Sequence, residues 1–123
     1  FKSNFSKLDS GIIAWSLGNF ISNQYQRYTD AGVILNIHLT KNFITDSIWI
    51  SSVDFIPTWV YRGAHPEKKM HIIFPSEKCL LDSMPAFIDA DSKQKMQQAF
   101  EDTKSVMTKY SSKLKLKSIL TEQ

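Results

Sequence analysis

Apolar and polar residues alternate with a period of two in the stretch that follows residue 30. One parity holds four aliphatic residues, Val33, Leu35, Ile37 and Leu39. The other parity is mixed, with Ile34, Asn36, His38 and Thr40. A period of two is that of a β-strand with one buried face, so the sequence predicts a strand here.

Three further stretches are rich in β-branched and aromatic residues, and each predicts a strand: Gly11–Leu17, Ile48–Tyr61 and Met70–Phe74. Gly18-Asn19 after the first is a turn or bulge signal. Pro57 interrupts the second, and because proline has no N–H to donate, it predicts a sheet edge or a bulge there. Trp15, Trp49 and Trp59 could line a ligand groove, but tryptophans in strands are mostly core residues, so burial is the favoured prediction.

The period changes after residue 75. Ser76 is a candidate N-cap for a short helix that ends before Pro85, and Asp91 with Gln94 resembles a capping box at the start of a longer helix. That helix is predicted over Asp91–Tyr110. Its apolar face carries Met96, Ala99, Phe100, Thr103, Val106, Met107 and Tyr110 at helical spacing. For Leu114–Gln123 we expect a further helical turn or a docked tail.

These elements predict an α+β fold, with an antiparallel β meander in the N-terminal half followed by C-terminal helices. The length of 123 residues and the 42% hydrophobic content suit a single domain or domain fragment, with 1–75 mainly strands and 76–123 mainly helices. Residue 1 is Phe, and no targeting signal precedes Gly11, so we expect a processed or excised chain. No stretch supplies the roughly 20 apolar residues of a transmembrane helix.

Composition narrows the candidate chemistry. The net charge of +3 is spread along the chain, so nucleic acid is not an expected partner. Cys79 is the only cysteine in the sequence, which excludes an intrachain disulfide. The three histidines, His38, His65 and His71, match no metal or triad motif, and for His38 a surface or structural role is expected. The residues alone therefore indicate an α+β domain with no visible active site.

One block of residues carries a resemblance to a known family. Residues 15–24 read WSLGNFISNQ, and residues 27–35 read RYTDAGVIL. This order resembles the C-terminal part of the poly-gamma-glutamate capsule synthesis protein family (CapA type), in which an aromatic-S-L-G-N-F block precedes a T-D-x-G segment and an aliphatic strand. Residues 53–62, VDFIPTWVYR, resemble the family's next strand. The match covers about half of the chain and leaves 68–123 loosely supported.

The resemblance implies the C-terminal portion of a calcineurin-like αββα sandwich, related to metallophosphoesterases. The family's metal motifs precede the S-L-G-N-F block, so the resemblance implies divalent metal ions for the parent protein and no metal ligand or catalytic residue in this chain. Ala64-His65-Pro66 follows the block and is not matched to a metal motif. Ser16, Gly18 and Asn19 have two interpretations: the rim of the parent's site, or polar caps of a strand end where Gly18 permits unusual backbone angles.

The function expected from this resemblance is that of a scaffold segment in a bacterial capsule-synthesis protein, supporting a metal site that lies outside the chain. Expected partners are the N-terminal remainder of the parent, a second copy, or membrane proteins of polymer synthesis. The expected location is the cell surface or the membrane, reached through N-terminal sequence. An alternative is a noncatalytic module that binds surface polymer or a membrane-bound partner. A third is a small enzyme using His65 or His71, which would need a carboxylate within hydrogen-bond reach.

Overall fold

The computed structural model describes residues 11–20, 23–65, 68–109 and 114–120. Its elements, in chain order, are β1 (Ala31–Asn42), β2 (Ser47–His65), β3 (Lys68–Pro75), a 3-10 helix (Ser76–Leu80), α1 (Ala90–Lys109) and β4 (Leu114–Leu116). Within these ranges the four strands form one sheet and α1 packs on it. The predicted α+β class is confirmed.

Two hairpins form most of the sheet. β1 pairs antiparallel with β2 from Ala31–Trp59 to Asn42–Ser47, and β2 pairs antiparallel with β3 from Thr58–Pro75 to His65–Lys68. The predicted antiparallel meander is therefore confirmed for these three strands. β4 adds a parallel pairing, because the chain returns through α1 and sets 114–116 beside 53–55 of β2.

Pro57 lies in the central strand, so the predicted edge position is wrong. Val33, opposite Pro57, donates its N–H to the Leu17 carbonyl at 2.9 Å, so the backbone of Val33 faces away from β2. The missing N–H of Pro57 therefore costs no bond to β1. On its other side, Pro57 falls between the stretch of β2 that pairs with β4 and the stretch that pairs with β3. The register shift in the β1–β2 pairing lies between His38 and Leu39, away from Pro57, so Pro57 does not mark this bulge.

α1 confirms the predicted long helix, with a different cap. The backbone N–H of Ser92 donates to Asp89 Oδ1 at 2.7 Å, so Asp89 caps the helix and Asp91 lies inside its first turn. Met96, Ala99 and Phe100 are buried against the sheet. They form the core with Ala31, Trp59, Tyr61, Phe74 and Cys79. Tyr110 lies outside the described residues.

Three other helical predictions are corrected. The short helix after Pro75 is a 3-10 helix that ends at Leu80, and Ser76 does not cap it: its hydroxyl is buried without a hydrogen-bond partner. Leu114–Leu116 form a strand where a helical turn was one expectation, because their alternating leucines fit the pleated edge of β2 and the Lys117 N–H donates to the Phe55 carbonyl at 2.9 Å. The C-terminal part therefore holds one α-helix in the described ranges, not several.

The predicted strand over Gly11–Leu17 is also corrected. The segment has no regular secondary structure and bends at Trp15, and its described link to the sheet is a single bridge between Gly18 and Gly32. Its side chains are exposed, and Trp15 is 93% accessible. The segment has the apolar, β-prone sequence of a strand, but residues 11–17 are not assigned to one because they lack regular pairing with a described strand.

None of the helical residues described in the structure forms a span with the length and apolar character needed to cross a lipid bilayer.

Candidate functional site

The three residues singled out by the resemblance lie at the outer edge of β1, in residues 16–19, which we call the Gly18 turn after the left-handed backbone of Gly18. Gly18 has φ +72°, and a Cβ at this position would lie 2.7 Å from the Ala31 carbonyl oxygen, so only glycine fits. Its N–H donates to Ser16 Oγ at 3.2 Å. The Ser16 hydroxyl and the left-handed backbone of Gly18 therefore stabilise this turn through residues that are close together in the sequence.

Asn19 fastens the loop that leads into β1. Its backbone N–H donates to the Ala31 carbonyl at 2.9 Å, and its side-chain Nδ2 donates to the Thr29 carbonyl at 2.7 Å and to Gln24 Oε1. These bonds give the Asn19 side chain a structural role in this chain. They are the bonds expected of a polar cap at a strand end.

An apolar groove of about 190 Å³ opens beside this turn. Its walls are the 16–18 turn, the start of β1 and the C-terminal half of α1. Its apolar lining includes Leu17, Val33, Val106 and Met107. Two of the predicted site residues, Ser16 and Gly18, therefore line a groove, whereas Asn19 is not among its lining residues.

A charged pair lies at the edge of the groove. Arg27 donates from Nε and an Nη to both carboxylate oxygens of Asp102, each at 2.8 Å. The hydrogen bond from Arg27 holds the pKa of the Asp102 carboxyl below its ordinary value. The pair ties the 23–30 loop to α1, and sequence reasoning missed it because the partners are 75 residues apart.

A second feature is the outer part of the β1–β2 hairpin. On the side of the sheet that faces α1, the cross-strand pairs Ile37–Val53 and Leu39–Ile50 bring aliphatic side chains together, and Ile48, opposite Lys41, lies on the same side. We call Ile37, Leu39, Ile48, Ile50 and Val53 the hairpin face. About half or more of the surface of three of these residues is exposed: Ile37, Leu39 and Ile48. The hairpin face therefore extends beyond the part of the sheet that α1 covers.

The opposite side of the same hairpin is polar and hydrogen-bonded. Asp54 accepts from Asn36 Nδ2 at 2.6 Å and lies 2.7 Å from His38 Nε2. Burial opposes ionisation of Asp54, but the hydrogen bonds from Asn36 and His38 outweigh it and lower its pKa. His38 therefore lies beside a carboxylate on an exposed part of the sheet. This position agrees with the surface or structural role expected of His38.

The other histidines do not build a site with the described residues. His71 Nε2 lies 3.4 Å from the side-chain oxygen of Asn23, and this contact supplies no carboxylate. His65 ends β2, and its side chain lies outside the described residues. Among the residues that the structure describes, no three His, Cys, Asp or Glu side chains converge as metal ligands.

The tryptophans divide between core and surface. Trp59 is buried as predicted, and its Nε1 donates to Asp30 Oδ2 at 2.9 Å. Trp15 and Trp49 are exposed, so the prediction that they are buried is wrong. They share this exposure with Phe43 and Ile44, which occupy the turn of the β1–β2 hairpin.

Comparison of the chain with protein-family models, with curated proteins and with solved structures gives no match.

Proposed function

We propose that this chain is a scaffold segment of a bacterial capsule-synthesis-type protein, packing against further polypeptide that carries the metal site. Two things support the proposal: the S-L-G-N-F block of the resemblance and the exposed hairpin face. The hairpin face carries the argument, because it continues the apolar side of the core beyond α1.

The energetics favour a covering layer on the hairpin face. Fully burying one aliphatic side chain stabilises a structure by about 1.5–3 kcal/mol, so covering three half-exposed ones contributes on the order of 3 kcal/mol. A sheet face that is apolar on one side and polar on the other is the pattern of a layer in a sandwich. In the proposed role, the covering layer is the N-terminal remainder of the parent or, in its absence, a second copy.

Light scattering of the 123-residue chain at high micromolar concentration tests this role. We expect a dimer or larger species that Ile48→Lys returns to the monomer, because a charge in the hairpin face cannot be buried without a partner. Ser52→Lys is the matched control, since Ser52 pairs with His38 on the polar side of the same hairpin. A stable monomer that binds no hydrophobic dye would contradict the proposal.

The family assignment has a separate test. Reading the coding sequence on the 5′ side of Phe1 should reveal D-x-H and N-H metal motifs, and expression with that sequence should give a protein that retains divalent metal. A start codon directly before Phe1 would overturn the assignment and leave the association result unaffected.

A noncatalytic binding module is the second candidate, favoured by the hairpin turn. Phe43 is 86% and Ile44 96% exposed, so the turn presents two adjacent large apolar side chains to solvent. This role predicts that the chain binds poly-gamma-glutamate or lipid vesicles and that Phe43→Ser abolishes binding. Under the scaffold role, neither ligand binds the isolated chain.

A further inference from the structure

The outer edge of β1 has a defined hydrogen-bonding direction. Asn19 N–H donates to the Ala31 carbonyl and Val33 N–H donates to the Leu17 carbonyl, each at 2.9 Å. Residues of the same parity along a strand turn their backbone groups to the same side. The N–H and C=O groups of Leu35 and Ile37 therefore also face this outer edge, where residues 11–16 form no strand pairing.

The observed bridge sets the register that any further pairing would take. Gly18 opposes Gly32, so continuing the antiparallel register places Trp15 opposite Leu35 and Ile13 opposite Ile37. Directly opposed residues lie on the same side of a sheet. Leu17, Trp15 and Ile13 would then join the α1 side, while Ser16, Ala14 and Ile12 join the side of Asn36 and His38. The alternation of the segment fits this register and fails in one shifted by one residue.

The apolar groove lies where this register would bring Trp15. Leu17 and Val33, the pair next to Trp15–Leu35 on the α1 side, already line the groove. Val106 and Met107 form its helical wall, and Val106 is 54% exposed. A tryptophan ring can bury about 150–250 Å², and that of Trp15 is almost wholly exposed.

We propose that residues 11–17 are a closing strap, which pairs with the outer edge of β1 and seats the Trp15 ring over the groove against Val106 and Met107. Closure pairs residues 13–17 with residues 33–37 of β1 and covers the apolar groove with a residue of the same chain. The strap rests on the register and the groove, and it does not depend on the proposed function.

Disulfide trapping in the full 123-residue chain tests the strap. Ile13→Cys with Ile37→Cys puts two thiols opposite each other in the proposed register, at the Cα separation of about 5.5 Å that suits a disulfide. Ile12→Cys with Ile37→Cys is the matched control, since its thiols would point to opposite sides of the sheet. Cys79 is buried, which raises the pKa of its thiol, so it competes weakly.

Under mild oxidation, we expect the 13–37 pair to form an intrachain disulfide at least tenfold faster than the 12–37 pair. Equal rates would show a segment without register and overturn the strap. A disulfide between position 13 of one chain and position 37 of another would overturn it as well, because the occupant of the edge would then be a second copy.

Amide hydrogen exchange on the unmodified chain gives a second readout. The N–H groups of Ile13 and Trp15 face β1 in the closed strap, so we expect them to exchange at least tenfold more slowly than those of Ile12 and Ala14. Trp15→Ser should abolish this difference at Ile13 by removing the ring from the groove. Uniformly fast exchange over residues 12–15 would contradict closure.

Discussion

At the scale of single residues, two polar contacts between distant parts of the chain are the most informative. One joins Trp59 to Asp30 in the core, and the other joins Arg27 to Asp102 at the surface. Both hold the 23–30 loop in place, the first against the sheet and the second against α1. The loop that follows the S-L-G-N-F block is therefore positioned by side chains rather than by secondary structure.

Trp59→Phe should destabilise the chain. The substitution leaves the buried Asp30 carboxylate without the indole N–H, and losing a hydrogen bond to a buried charged group costs about 1.5–3 kcal/mol. Urea unfolding should show a loss of this size. Trp49→Phe is the control, because Trp49 is half-exposed on the hairpin, and it should change the free energy of unfolding by less than about 0.5 kcal/mol. Equal effects would show that the bond to Asp30 contributes nothing.

Arg27→Gln should lower stability in a pH-dependent way. Because the Arg27 hydrogen bond lowers the pKa of Asp102 in the folded state, the stabilisation is present above the unfolded pKa of about 3.9 and is lost as the pH falls through the lower folded value. Unfolding midpoints of the two proteins should differ at pH 7 and converge at an acidic pH below the folded pKa of Asp102. A difference that is the same at both pH values would exclude this linkage. Arg27→Lys keeps the charge but not the two-bond geometry, so its unfolding midpoint at pH 7 should lie between those of the unmodified chain and Arg27→Gln.

At the scale of elements, the turn at Gly18 and the buried face of α1 have the clearest requirements. The turn needs a left-handed residue in contact with the Ala31 carbonyl. The helix needs its large side chains to fill the space over Trp59 and Tyr61. Each requirement predicts the effect of one substitution.

Gly18→Ala should destabilise the chain by about 1–2 kcal/mol for the left-handed backbone alone, with the clash at Ala31 adding to it. Gly11→Ala serves as the control, because a Cβ there meets no heavy atom within 4 Å. Thermal unfolding of both variants measures the difference. If the two alanines had the same effect, the turn would not have the geometry described.

Phe100→Ala should cost about 3–5 kcal/mol, because the ring is 3% exposed and its removal leaves a cavity in the core. Gln97→Ala on the exposed side of α1 should leave the melting temperature nearly unchanged. An unchanged melting temperature for Phe100→Ala would show that this face of α1 is not core.

At the scale of the whole molecule, the chain combines one well-packed core with apolar surface at the hairpin face, the hairpin turn and residues 11–17. The core accounts for folding, and the exposed apolar residues are where association is expected. Under the proposed scaffold role, the purified chain should contain substoichiometric manganese, zinc and iron and should not hydrolyse a generic phosphoester above background. Tight metal binding that is lost on changing His65 or His71 would instead support the small-enzyme alternative.

Local sequence patterns were enough to predict several features of this protein. The two-residue period of β1, the helical period of α1 and the glycine at the S-L-G-N-F turn are short-range patterns, since each depends on which side of its own element a residue occupies. This is why the three antiparallel strands, the long helix and its buried residues Met96, Ala99 and Phe100 were predictable.

Which of the patterned faces are covered follows from tertiary contacts. The parity of β1 indicates one apolar face, but α1 covers only its first part and leaves Ile37 and Leu39 exposed. Pro57 is tolerated in the central strand because its neighbours on that side change from β4 to β3, and 114–116 became a strand because an edge of β2 was open to it. Such outcomes depend on contacts between residues far apart in the chain, and a periodic pattern within one element does not predict them.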